Sequence, residues 1–112
     1  GMQYLQKALL ANHKAGAVEG VAYVLWLLVG GFLLNGEAGV ATSVLGASST
    51  ARQRLKRAFP VPEERQLQQQ LSDLRTTLGN DSFDQAWAEG EAMSIDDAVA
   101  YCMNAMQADP AS

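Results

Sequence analysis

The sequence predicts an all-α domain of six helices, and three observations carry that prediction. Apolar residues recur at spacings of three and four over most of the chain, the signature of helices with one buried face. Prolines occur only at positions 60, 62 and 110, so no helical segment is interrupted. Glycines at 16, 36, 79 and 90 fall where these segments should stop and reverse. Runs of β-branched residues, the mark of strands, are absent.

Taken in order, the first helix is expected over Met2–Lys14, with Leu5, Ala8, Leu9 and Asn12 on one side. Ala15-Gly16-Ala17 forms the turn. The second helix spans Val18–Leu34 and ends at Asn35-Gly36. The third runs from Glu37 to about Arg57, with Val40, Ala41, Val44, Leu45, Ser48 and Leu55 as a single buried face. Its last turns hold Arg52, Arg54, Lys56 and Arg57, cations that suit the negative end of the helix dipole. Phe59-Pro60-Val61-Pro62 forces an extended link. The fourth helix starts with Pro62 near its first position, followed by Glu63 and Glu64. It carries a narrow stripe of Leu67, Leu71, Leu74 and Leu78 on an otherwise polar surface.

The fifth helix is expected over Ser82–Glu89, between Gly79 and a left-handed Gly90. Asp81 and Ser94 are candidate caps for the fifth and sixth helices, each able to accept from free amides of the first turn. Phe83, Ala86 and Trp87 share a face, so Phe83, Trp87, Gly90 and Ser94 form a structural motif that closes the helical stack against helices four and six. The sixth helix covers Ile95–Ala108, with Ile95, Ala98, Val99, Cys102, Met103 and Met106 inward.

A chain of 112 residues with 48% hydrophobic and 18% charged residues can build one core, so residues 2–108 are read as a single domain. Within it, residues 2–58 are hairpins and residues 62–108 are capping helices. Gly1 ahead of Met2 reads as a scar of tag removal and is left out of fold reasoning. One cysteine, Cys102, excludes an internal disulfide and fits a reducing compartment. One histidine, His13, far from that cysteine cannot build a conventional zinc site, so no metal and no cofactor is expected. His13 has no carboxylate within a turn and reads as a surface residue. The net charge of -4 divides unevenly: residues 1–58 carry six basic and two acidic residues, residues 59–112 two basic and ten acidic. An acidic chain is poorly suited to nucleic acid, where affinity comes from neutralising phosphates.

Each turn in the first half carries a glycine, at 16 and 36, and Leu28, Phe32, Gly36, Ala41 and Leu45 fall at tetratricopeptide-like spacing. Ala41-Thr42-Ser43-Val44-Leu45-Gly46-Ala47, Arg52, Pro62-Glu63-Glu64-Arg65, Leu78-Gly79, Phe83, Ala86-Trp87-Ala88-Glu89-Gly90, Met93-Ser94 and Ala98-Val99 together resemble the C-terminal tetratricopeptide-like domain of large bacterial regulators. These are the STAND-class signalling ATPases of the MalT, AfsR and LuxR-like type. The resemblance covers about residues 5–108 and is most specific around Trp87 and Gly90. It implies a superhelix of antiparallel hairpins that senses an inducer or partner and restrains an ATPase. The phosphate-binding Gly-x-x-x-x-Gly-Lys-Ser/Thr motif is absent from the chain, and no helix-turn-helix unit follows Ala108. The sequence therefore reads as a fragment or a free-standing relative.

One stretch departs from that pattern. Val21 to Leu34 is apolar all round, so it needs cover on every side. Trp26, Leu27 and Leu33 have no evident partner within one short chain, and a homodimer through this helix is the simplest cover. Residues 20–36 are uncharged over seventeen positions, the lower limit for a membrane span, but Glu19 and Glu37 flank them in place of basic anchors.

Function therefore points to a non-enzymatic protein–protein interaction or regulatory module in a bacterial cytoplasm. The alternatives are a small-molecule sensor with Trp87, Tyr23 or Tyr101 lining a cavity, and a membrane-associated helical protein through residues 20–36. Arg52, Arg54, Lys56 and Arg57 are a weak anion-site candidate. Asp96 and Asp97 open a helix, where dipole compensation accounts for them without acid–base chemistry. No nucleophile–base pair or metal set supports an enzyme.

Overall fold

The computed structural model describes residues 2–55 and 61–107, with side chains over 3–55 and 64–107. The described residues form six helices and no strand: α1 Met2–Lys14, α2 Val18–Leu34, α3 Ala38–Leu55, α4 Val61–Leu78, α5 Asn80–Glu91 and α6 Ile95–Gln107. The bounds of α1 and α2 agree with the sequence expectation. Lys56, Arg57, the Phe59-Pro60 step and Ala108 lie outside the described residues.

The first two turns are built alike. Gly16 and Gly36 take φ of 71° and 77°, the left-handed conformation that glycine adopts without strain. Ala17 N–H donates to the Asn12 carbonyl at 2.9 Å, and Glu37 N–H to the Phe32 carbonyl at 2.9 Å. Each is the six-residue closure of a Schellman end, which satisfies a carbonyl that the helix leaves free. The same device twenty residues apart gives the first half its hairpin repeat.

Helix α3 is the centre of the fold and packs most extensively on α2 and α5; α1 covers α2 from the other side. The sequence assigns all-round burial to helix two, but it is α3 that is surrounded. Eight consecutive residues, Ala41 to Ser48, are buried, as is Ala51, whereas Val40 and Leu55 are only half-buried. The reason is size. Ala, Thr, Ser, Val, Leu and Gly let neighbouring helices approach from several directions, while the large side chains of α2 fill the space on the core side. Phe32, Leu25 and Leu28 are fully buried there, with Val44 and Leu45 from α3, Leu9 from α1 and Leu74 from α4. Each such side chain contributes roughly 1.5–3 kcal/mol.

Buried hydroxyls on α3 are all satisfied by carbonyls. Thr42 donates within its own helix to Ala38 at 2.8 Å, Ser48 to Ala22 of α2 at 3.0 Å, and Ser43 to Ala86 of α5 at 3.0 Å. The last two tie α3 to both neighbours.

The α4–α5–α6 segment corrects three expectations. Gly79 alone makes the turn into α5, with φ of 83°, so the helix starts at Asn80 and Asp81 falls in its first turn rather than at the cap. Gly90 does not end α5: it is buried inside the helix and is not among the positive-φ glycines. Its lack of a side chain serves close packing. A Cβ at Gly90 would lie 2.7 Å from the Ser43 carbonyl carbon and 3.0 Å from Ser43 Cα, and one at Gly46 would lie 2.7 Å from the Trp87 carbonyl oxygen. Accordingly α5 packs chiefly on α3 rather than on α6. Ser94 does cap α6, its Oγ accepting from Asp97 N–H at 3.0 Å, with Asp96 and Asp97 in the first turn.

Candidate functional site

Three surfaces were singled out by the sequence, and the structure treats each differently. On α2, the expected interface residues separate. Trp26 is buried at 6% exposure, and its Nε1–H donates to Gln70 Oε1 of α4 at 3.0 Å. Its partner is thus inside the chain, and the expectation that it needs a second subunit does not hold. Gln70 of α4 reaches that side of α2, a tertiary fact invisible in the local pattern. Leu33 is half-buried and packs on the core. Leu27 stays at the surface, 38% exposed, together with Tyr23 and Leu34 at 48% and 90%. Positions 23, 27, 30 and 34 are spaced by four, three and four residues and so form one stripe along α2. Tyr23 and Leu34 are the members that reasoning about the interface missed; the 3.6-residue period alone could have found them.

Beside this stripe Tyr23, Trp26, Leu27, Gly30, Gln66 and Gln70 line a recess of about 300 Å³ between α2 and α4. The Tyr23 and Trp26 rings meet at 6.1 Å. None of the described residues lining it is charged. Tyr23 is thus one of the two proposed cavity aromatics that border open space. Tyr101 instead packs half-buried against the core.

The second surface is the groove between α4 and α5. Phe83 is buried at 4% exposure and Trp87 is half-buried, with rings stacked at 5.9 Å and 15°. The Arg75 guanidinium lies 4.2 Å from the Phe83 ring centroid and donates to Asp84 Oδ1 at 3.3 Å and Asn80 Oδ1 at 3.2 Å. Leu71, Trp87, Ala88 and Glu91 continue the walls of an open groove of about 620 Å³. The sequence motif of Phe83, Trp87, Gly90 and Ser94 is therefore divided: Gly90 and Ser94 hold the helices in place, while Phe83 and Trp87 also floor a groove.

The third surface is the cationic end of α3. Arg52 is half-buried and Arg54 exposed, and Lys56 and Arg57 lie outside the described residues, so the four are not seen as one site. Nor is any group of three or more His, Cys, Asp or Glu placed to hold a metal among the described residues.

His13 has a partner that a search within one helical turn could not find. Its Nε2 lies 2.6 Å from Asp96 Oδ1, joining α1 to α6 across 83 positions; the pair is ionic when the imidazole is protonated. Cys102 is fully buried, and burial pushes its thiol up to about 12. No helix among the described residues is long and apolar enough to cross a membrane.

What this arrangement offers is helical surface for contact: an uncharged stripe on α2 and an acidic, aromatic-floored groove on α5. The chain is 33% identical over 97 residues, 84% of its length, to "Putative HTH-type transcriptional regulator Rv0890c" of Mycobacterium tuberculosis. The same identity and coverage hold for the Mycobacterium bovis protein "Putative HTH-type transcriptional regulator Mb0914c". The match takes up 11% of each of these proteins, so the chain spans about a ninth of the curated relatives it resembles. No protein-family profile matches the chain, and no solved structure matches it.

Proposed function

We propose that this chain is a non-enzymatic protein–protein interaction module of a bacterial transcriptional regulator, built as tetratricopeptide-like hairpins and acting in the cytoplasm. The observation that carries the reading is the exposed apolar stripe of Tyr23, Leu27 and Leu34 on a helix whose other sides are covered. Large exposed apolar side chains aligned on one helix are a common feature of contact surfaces. Similarity to regulators many times longer supports the setting. A module of this kind presents a shaped face and lets a partner dock by apolar contact. The acidic outer surface of α5 and α6 suits a part of such a regulator other than its DNA-reading unit, since phosphates would be repelled.

Self-association through α2 is the form of this contact that the chain can show alone. Sedimentation velocity over a range of concentrations tests it. Wild type is expected to shift toward dimer as concentration rises, and Leu27→Glu to remain monomeric with an unchanged melting curve. A wild type that stays monomeric throughout removes the dimer.

The recess between Tyr23, Trp26 and Gln70 favours a second reading, a sensor of a small uncharged aromatic ligand. A thermal-shift screen separates the two, because a ligand bound only by the folded state raises the melting temperature.

A further inference from the structure

Half of the α4–α5 groove already shows how it holds a cation. Arg75 of α4 lays its guanidinium on the Phe83 ring and bonds the Asp84 carboxylate beside it. One turn further along α5 the same two kinds of group recur. Trp87 stacks on Phe83, and Glu91 follows Trp87 by four residues on the same face. Both line the groove, and no arginine or lysine of the described residues is placed over the Trp87 ring as Arg75 is over Phe83. Leu71 and Ala88 supply apolar wall next to them.

Apart from Arg75 on the α4 wall, the charges on the α5 and α6 side are acidic. Helices α5 and α6 contain no Lys or Arg, and Asp81, Asp84, Glu89, Glu91, Asp96 and Asp97 are all exposed. Arg75 and His13 reach two of these carboxylates, Asp84 and Asp96. A groove with an aromatic floor and an acidic rim repels phosphate-bearing partners and attracts cationic ones.

From this geometry we infer that the α4–α5 groove docks a basic amphipathic helix of a partner protein. The partner's arginine lies on the open side of Trp87 and pairs with Glu91, and an apolar side chain one helical turn away packs on Leu71 and Ala88. The inference rests on reading the chain as an interaction module and names the partner chemistry at a surface separate from the α2 stripe. Arginine fits better than lysine, because its planar guanidinium can stack on the indole and fork to the carboxylate together. A helix fits because Trp87 and Glu91 lie beside the apolar wall of Leu71 and Ala88, a pairing that the basic and apolar positions on one face of an amphipathic helix can meet together.

The test is fluorescence anisotropy with the full chain and a labelled, end-capped helical peptide that carries Arg-x-x-x-Leu on one face. Three control peptides accompany it: a scrambled one of the same composition, one with Arg replaced by Lys, and one with Arg replaced by Gln. Binding is expected to order as Arg, then Lys, then Gln, and to weaken with added salt. Glu91→Gln should weaken the Arg peptide by about five- to tenfold, as loss of one charge-assisted contact does. Trp87→Leu, which keeps the groove apolar, should weaken it by a similar factor with the helical circular dichroism unchanged. Asp97→Asn, an exposed carboxylate outside the groove, should change it by less than about twofold. Equal loss for Asp97→Asn and Glu91→Gln overturns the proposal in favour of a diffuse acidic surface, as does equal binding of the scrambled peptide. Absence of binding by the Arg peptide at low salt also overturns it. None of these results alters the α2 test with Leu27→Glu, so failure here and failure of the wider reading are distinguishable.

Discussion

Gly90 of α5 lies directly against the backbone of Ser43 in α3, so close that a methyl group at Gly90 would overlap the Ser43 carbonyl. One residue-pair contact thus sets how near the two helices come. Ser43 reinforces it by donating to the Ala86 carbonyl at 3.0 Å, one turn before Gly90. The neighbouring contact of Gly46 with the Trp87 carbonyl repeats the device. The α3–α5 packing is therefore backbone on backbone, and it in turn places Phe83 and Trp87 at the groove.

Gly90→Ala is accordingly expected to destabilise. Alanine gains about 1 kcal/mol in helix propensity over glycine, but parting two helices to admit a methyl costs on the order of 1–3 kcal/mol or more. The packing term wins because the obstacle is backbone and cannot rotate away. Gly30→Ala is the control: Gly30 is inside α2 with nothing within 4 Å of a new Cβ. There propensity alone acts, and stability should rise by about 0.5–1 kcal/mol. Thermal melts of the two variants moving in opposite directions would confirm the account, and a rise for both would refute it.

Trp26→Ala should lower stability by on the order of 3–5 kcal/mol, the cost of deleting a large buried aromatic. Gln70→Leu should cost about 1–3 kcal/mol by removing the hydrogen bond that Gln70 Oε1 accepts from the indole N–H. Urea denaturation measures both. A Trp26→Ala protein with an unchanged midpoint and altered oligomeric state would restore the view of Trp26 as a subunit contact.

Cys102 should resist thiol reagents in the folded protein and react once the chain unfolds, because the thiolate is the reactive form and burial disfavours it. The folded value of about 12 lies above the free value of 9.0. The unfolded chain therefore loses its proton first, and stability should fall as pH rises from about 9 toward 12, at most by ~1.4 kcal/mol per pH unit. Below that window the thiol contributes no pH dependence. Denaturation of wild type and Cys102→Ala across alkaline pH tests this: the variant should show a shallower fall. Parallel curves would show that other groups control alkaline unfolding.

Ser94→Ala should cost about 1 kcal/mol through loss of the bond to Asp97 N–H. Ser94→Asp should retain most of the stability, since a carboxylate also caps. Chemical denaturation with a midpoint unaffected by Ser94→Ala would mean that α6 is held by packing alone.

The helices themselves were legible because periodicity and turn chemistry are local. Val18–Leu34 could be bounded from Gly16 and Gly36, and Ile95 from Ser94, without knowing what either helix touches. Surfaces were less legible. Trp26 and Leu27 are adjacent in an unbroken apolar run, and only the tertiary packing, with Gln70 of α4 at the indole, buries one and leaves the other exposed. The His13–Asp96 contact and the Arg75–Phe83 stack were unreadable for the same reason, since each joins different helices.

The sequence by itself determined the six helices seen among the described residues, the turns at Gly16, Gly36 and Gly79, and the concentration of acidic residues in the second half. Those properties follow from short-range sterics, capping and composition. The tertiary structure decided that α3 rather than α2 is enclosed, that Gly90 is a packing glycine rather than a stop, and which apolar and aromatic residues face outward. Glycine looks the same in sequence whether it allows a positive φ or a close approach. Only the position of a second helix tells the two apart.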